Sequence, residues 1–336
     1  KVEGPNVSVK LDKLSFVENH QIEVTEFSSD FTYTKTDMRF LNTNLKTEDS
    51  NINATISFDY HRDDFSDFNN KVKINAEVIN ADISFIDLKK FYNEFGANDN
   101  LHFTTSISGT LNDFITNNLN LVTDNNAIIK GDLNFKNVFN LENGFVLDGK
   151  LYNLTSDYNS LKKLLPNLLG KTLPSSFEKL GRFKIIGDTY ITENLISAQL
   201  TMNTDLGTTI TDLELTNISN IDQASYFGKV KIIDFELGKV MNDSLVGKLS
   251  MDADIDGEGF TFETMNTSIK GLVSKHQYKG YTYNDIAING VFQSKRFEGD
   301  FEVNDDNIKL NFKGLADLSS ELYSFDFMAV VDYCDL

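Results

Sequence analysis

The chain has 336 residues, enough for a large core and, by size alone, about two domains. Hydrophobic residues make up 40% of it and charged residues 24%, with 27 Phe and 12 Tyr, a composition that folds. The 50 acidic and 31 basic residues give a net charge of −19, which excludes nucleic acid as a natural partner, and the single cysteine, Cys334, excludes an internal disulfide or a thiolate zinc site.

The chain begins at Lys1 with neither an initiator Met nor a signal-peptide opening, and so reads as excised from something longer. Period-two alternation then predicts strands at Ile56, Phe58 and Tyr60 and at Val72, Ile74, Ala76 and Val78. A short helical pattern near Ile86 to Phe95 follows, then a strand from Phe103 to Leu111. Helical spacing returns between Ser160 and Leu169, with Leu161, Leu164, Leu165 and Leu168 on one face around Pro166. Beyond it the alternation resumes at Phe183 and Ile185, at Val230 and Ile232, and at Leu249, Met251, Ala253 and Ile255. The last strands are predicted at Ile286 and Ile288, Phe301 and Val303, Ile308, Leu310 and Phe312, and Phe325, Phe327, Ala329 and Val331. No run reaches the roughly 18 apolar residues that a bilayer span needs.

Polar residues fill most of the opposite parity, so one sheet face is apolar and the other wet. Short polar connections such as Asn69-Asn70, Asn125-Asn126 and Asp305-Asp306-Asn307, with only 3 Pro in the chain, predict an antiparallel meander. Three segments also share one order: a strand, an Asn or Asp, then a short apolar-basic piece. They are Val78-Ile79-Asn80 leading to Asp87-Leu88-Lys89-Lys90, Leu151-Tyr152-Asn153 leading to Ser160-Leu161-Lys162-Lys163, and Ile232-Ile233-Asp234 leading to Leu237-Gly238-Lys239. Their spacing leaves room for about five strands plus a connection. Strands ending in Gly109, Gly187 and Gly257 form a second marker. The chain is therefore read as one continuous segment, 1–336, of degenerate repeats at about 1–70, 71–145, 146–225 and 226–336.

Asp252, Asp254, Asp256, Gly257 and Glu263 match the spacing of a calcium loop, D-x-D-x-D-G-x5-E. Such a loop needs flanking helices, whereas these aspartates alternate with Leu249, Met251, Ala253 and Ile255 as on the solvated face of a strand. His20, His61, His102 and His276 are scattered without a second ligand at metal spacing. There is no G-x-S-x-G elbow and no phosphate loop, and the His61-Arg62-Asp63-Asp64 cluster is read as a charged turn. No catalytic residue, metal site or cofactor is expected.

The run from Ser160-Leu161-Lys162-Lys163-Leu164-Leu165-Pro166 to Gly170-Lys171-Thr172-Leu173-Pro174 resembles the TamB proteins of Gram-negative bacteria. Val246-Gly247-Lys248-Leu249 through Asp256-Gly257-Glu258-Gly259-Phe260, Tyr278 to Tyr283 and Asn307 to Leu315 are similar to that family's central region. The resemblance covers about Gly149 to Leu336, with the earlier part alike in pattern only. It implies an AsmA-like fold: all-β, an elongated, mostly antiparallel repeating groove made by a curled open sheet, with an apolar interior and a few short helices. It further implies a periplasmic segment of a protein anchored in the inner membrane by an N-terminal helix. Its partner at the other end would be TamA or another Omp85-type outer-membrane protein, met through regions outside this chain.

A sheet with one apolar face must close, stack a second layer or hold a ligand, and too few helices are predicted to cover it. The expected function is a passive conduit for phospholipid acyl chains supporting outer-membrane biogenesis. By strand parity the groove is lined by Ile74, Ala76, Phe103, Ile107, Phe183, Ile185, Val230, Ile232, Met251, Ile255, Ile286, Ile288, Leu310, Phe312, Phe325 and Phe327. The alternatives are a scaffold that assists outer-membrane protein or autotransporter assembly by strand augmentation, and an extracellular β-rich adhesion module.

Overall fold

The computed structural model describes residues 2–3, 6–91, 99–164, 173–261, 263–320 and 322–335. They form two compact units, one of Lys1–Gly170 with Tyr190–Glu193 and the other of Lys171–Thr189 with Asn194–Leu336.

The first unit holds β1 (Val2–Glu3), β2 (Asn6–Val17), β3 (Glu23–Tyr33), β4 (Asp37–Lys46), β5 (Asn51–Asp59), β6 (Lys73–Ser84), β7 (Asn100–Gly109), β8 (Phe114–Thr123), β9 (Ile128–Lys136) and β10 (Val146–Asp157). Each strand pairs antiparallel with the next in sequence. In the second unit the strands are β11 (Arg182–Thr192, of which Arg182–Thr189 belong here), β12 (Leu195–Thr204), β13 (Gly207–Thr216), β14 (Ser225–Glu236) and β15 (Val246–Glu258). They continue as β16 (Asn266–Tyr278), β17 (Tyr281–Gln293), β18 (Arg296–Asn304), β19 (Ile308–Asp317) and β20 (Ser324–Cys334). From β12 onward the pairing is again antiparallel and sequential. The fold class is the all-β, antiparallel one expected from the alternation.

The strands are irregular at fixed places. Register shifts by one residue in β2 after Leu11, in β6 after Val78, in β10 after Leu151 and in β14 after Ile232. The residues skipped in these registers are Asp12-Lys13, Ile79-Asn80, Tyr152 and Ile233-Asp234. The Asn and Asp markers of the sequence repeat thus lie at β-bulges in β6, β10 and β14, four strands apart. The spacing predicts about five strands per repeat; four fit because the strands from β2 on, at nine to thirteen residues, are longer than the ordinary five or six. Similar shifts in β4 and β8 place Asn42 and Asn118 in the left-handed region, as Asp234 is in β14. Short amide and carboxylate side chains tolerate that conformation, which accounts for their use here.

A short helix follows three of these strands: Phe85–Phe91 after β6, Tyr158–Leu164 after β10 and Leu237–Met241 after β14. Asp157 starts the second by accepting a hydrogen bond from the Ser160 amide at 2.9 Å. Leu165, Pro166 and Leu168 of the expected helical face, and residues 92–95 of the earlier one, lie outside the described residues. The His61 cluster forms a 3₁₀ turn, Arg62–Asp67, opened by the His61 amide donating to Asp64 Oδ2 at 2.6 Å.

The glycine marker needs correction. Gly109 does end β7, but Gly187 lies inside β11 and Gly257 is the last residue but one of β15. Interior glycines serve close approach. Gly228 in β14 has φ +135°, and a Cβ there would lie 2.1 Å from the Asp212 carbonyl oxygen of the neighbouring strand.

Two clusters of buried residues include short helical segments. In the first unit Phe85, Leu101 and Leu164 form a cluster backed by Leu88, Phe103, Leu121 and Ile129, so two short helices cover one end of the sheet face. In the second, Leu215, Ile218, Ile221, Ala224 and Tyr226 pack with Ile196, Leu213, Ile255 and Phe260 around the 3₁₀ segment Ile218–Gln223.

Candidate functional site

In an antiparallel sheet, residues directly opposite one another share a face, so the register shows which side chains lie together. In the second unit Val230 faces Ala253 and Ile232 faces Met251, while Ile255 faces Gly228 and Ile269. Val273 and Gly271 lead on to Ile286 and Ile288, which face Val303 and Phe301. Those face Leu310 and Phe312, whose partners on β20 are Val331 and Ala329, with Phe327 and Phe325 next in the row. Phe183 and Ile185 are buried in β11. The first unit repeats the arrangement. Phe58 faces Ile74, Ile56 faces Ala76, and Ala76 faces Ile107. Past the bulge the row moves to the other parity, where Ala81 faces Phe103 and Phe103 faces Leu121.

The register therefore brings the residues chosen by parity onto one face within each unit, apart from Phe183 and Ile185 of β11, which are placed by their burial alone, and the exposures differ. Phe183, Ile185, Val230 and Phe312 are buried, and Phe103 and Ile255 pack against the two buried clusters. Ile74, Ala76, Ile107, Ile232, Met251, Ile286, Ile288 and Leu310 are half-buried, while Phe325 and Phe327 remain 55% and 49% exposed. Ile255, with core on both sides, is held in place as much as it lines a surface.

Phe16, Phe27, Phe40 and Phe292 join the apolar positions that the alternation predicts. An aromatic ladder of Phe16, Phe27, Phe40 and Phe58 runs across β2 to β5, with ring centroids 6.3–6.4 Å apart. A second links Phe292, Phe297, Phe301, Phe312 and Phe327 across β17 to β20, with Phe301 and Phe312 stacked at 4.6 Å. Alternation was legible around each of these rings, but the bulges hid which parity faced which.

Buried hydroxyls on this face have partners close by, whereas the buried Nδ1 of His276, opposite Leu249, has none among the described residues. Ser29 Oγ and Thr43 Oγ1 are 3.0 Å apart, Thr105 donates to the Asn117 carbonyl at 3.1 Å, and Tyr226 Oη lies 2.6 Å from Thr267 Oγ1. Such hydroxyls cost little in an apolar setting.

The opposite face carries the charge. Asp252 faces Lys231, and Asp254 lies between Lys229 and Lys270, so the calcium-like spacing is a strand with cross-strand lysines as neighbours. His102 on β7 has Nδ1 2.6 Å from Asp82 and Nε2 2.9 Å from Asp124. Hydrogen bonding to Asp82, then to Asp124, raises the imidazole above its ordinary value, and the same bonds lower both carboxyls. Asp305, in the β18–β19 turn, is 2% exposed and accepts hydrogen bonds from Tyr281 Oη and from the Asn284 and Asn307 amides. Burial works upward on it, but these donors outweigh burial and hold it down to about 2. Among the described residues no three metal-ligating side chains converge, and no helix is long and apolar enough to cross a membrane.

No family model, no curated protein and no solved structure matches this chain. The class that fold and face define is a meandering one-sided β-repeat with an aromatic-rich apolar face.

Proposed function

We propose that the apolar face takes up acyl chains and that the chain is a passive conduit segment for phospholipid, of the TamB kind, in the periplasm between two membranes. The observation that carries this reading is the in-register row of apolar side chains in each unit, many of them only half-buried among the described residues. A stretch of such face presents apolar contact to a chain lying across the strands, and the polar parity stays in water. Burying about sixteen methylenes at about 0.8 kcal/mol each is worth on the order of 10 kcal/mol, comparable with the anchorage that a lipid chain loses on leaving a bilayer. Movement along the face then needs no local energy source.

The test is mass spectrometry of lipid retained by the chain purified from a bacterial periplasm, beside Ile288→Asp. Ile288 is half-buried and outside both buried clusters, so the fold tolerates the change better than at Ile255. Stoichiometric phospholipid in the parent and its loss in a variant with unchanged circular dichroism support the reading. A folded, lipid-free parent contradicts it.

A further inference from the structure

The charged face of the second unit carries two rows that reverse onto themselves. Directly opposite one another across β13 to β16 stand Asp212, Lys229, Asp254 and Lys270. Two residues along each strand stand Ile210, Lys231, Asp252 and Leu272. All of them are exposed, and Ile210 and Leu272, although large and apolar, leave 39% and 46% of their surface in water. These strands lie inside the sheet, between β12 and β17, so the exposure is that of a face and not of an edge. In a chain of net charge −19 the two rows hold Lys and Asp in equal number. Among the described residues none of these charged groups is in an ion pair; Asp212 takes a hydrogen bond from Gln199 Nε2 at 3.2 Å.

Any solvated sheet face mixes charges; reversal is the feature that singles these rows out. Taken from β16 back to β13, the first row exchanges every Asp for a Lys and every Lys for an Asp. The second keeps an apolar residue at each end and exchanges Lys231 with Asp252. A second copy laid face to face, turned about a twofold axis along the strands between β14 and β15, therefore sets Lys229 over Asp254 and Asp212 over Lys270. It also sets Lys231 over Asp252 and Ile210 over Leu272, and the symmetry makes each contact twice. The row on the other side places Glu214 over Ser268 and Phe227 over Asp256, with no like charges opposed. Sheets stack in this aligned manner about 10 Å apart, with strands crossing at about 30°. Four strands about 4.8 Å apart, of about ten residues rising about 3.3 Å each, offer on the order of 600 Å² per copy, the size of a reversible association.

We infer that the charged face of β13 to β16 is an interface between two copies of this chain, stacked about that twofold axis. The Lys and Asp rows set the register, and the Ile210 and Leu272 contacts supply apolar burial at its margins. This inference does not depend on the lipid reading, since the apolar face of each copy stays outside the interface.

Sedimentation equilibrium of the full chain at low and at high salt reads the association directly. The parent should form a dimer that weakens about tenfold between about 0.05 and about 0.5 M salt. Lys231→Asp sets acid against Asp252 of the second copy, and Asp252→Lys sets base against Lys231 of the second copy. Each variant alone should dimerise at least about tenfold more weakly than the parent, and an equimolar mixture of the two should regain the parent's affinity as a heterodimer. Lys231 and Asp252 are also neighbours within one chain, and that disturbance persists in the mixture, so recovery there reports the contact between copies alone. A parent that stays monomeric, single variants that associate as tightly as the parent, or a mixture that stays monomeric would each overturn the inference.

Discussion

Phe301 and Phe312 stack across β18 and β19 with centroids 4.6 Å apart and ring planes 10° from parallel. The pair is the centre of the aromatic row that ends at Phe327. Phe312 is buried and Phe301 half-buried, so Phe312→Ala should cost about 3 kcal/mol and Phe301→Ala about 2. A double-mutant cycle by urea unfolding should show coupling of about 0.5–1.5 kcal/mol. Additive losses would mean that each ring is held by its own surroundings rather than by the stack.

Asp305 ties the β18–β19 turn to the start of β17. Asp305→Asn should destabilise the second unit by about 2 kcal/mol at neutral pH, because donors arranged for a carboxylate then meet a neutral amide. The sign with pH follows from a folded value held at about 2 against an ordinary 3.8. The contribution is complete above the ordinary carboxylate range and is lost as pH falls from about 4 toward 2. Unfolding midpoints of parent and variant should converge over that window, and parallel curves would remove Asp305 as the cause.

His102 titrates the other way. Its value is raised from 6.5, so the stability it lends is complete below that value and disappears as pH rises through the raised one. On the acid side the contribution of Asp82 and Asp124, both lowered from 3.8, is lost as pH falls through their lowered values. An NMR titration should find the His102 ring titrating above an ordinary imidazole, with Asp82→Asn and Asp124→Asn each moving it back. An unshifted ring would contradict the bridge.

Bulges at Asn42, Asn118 and Asp234 require left-handed backbone. Asn118→Val should cost about 1–2 kcal/mol, whereas Asn118→Gly should fall within about 0.5 kcal/mol of the parent. Thermal melts of the two variants decide it, and equal melts would mean that the bulge relaxes on substitution.

Much of this was legible because a side-chain period of two is written directly in residues such as Ile286, Ile288, Phe301, Val303, Leu310 and Phe312. The repeat was visible in Asn80, Asn153 and Asp234, but not what those residues do. A bulge adds one residue and switches the apolar parity, so the row in β6 passes from Val78 to Ala81 and leaves Ile79 in solvent. Alternation by itself cannot report that switch. Nor could it tell that Phe103 and Ile255 meet buried clusters, since those contacts come from Phe85, Leu164 and Ile221, far off in sequence.

In the proposed function one face of the sheet, and not the other, meets acyl chains. Photo-crosslinking tests it most directly, with benzoylphenylalanine placed in turn at Ile288 and Leu310 on the apolar face and at Asn289 and Lys309 on the opposite one, in cells producing the chain. Phospholipid adducts at Ile288 and Leu310, with none at Asn289 and Lys309, are the predicted result. Adducts at all four positions, or at none, would contradict it.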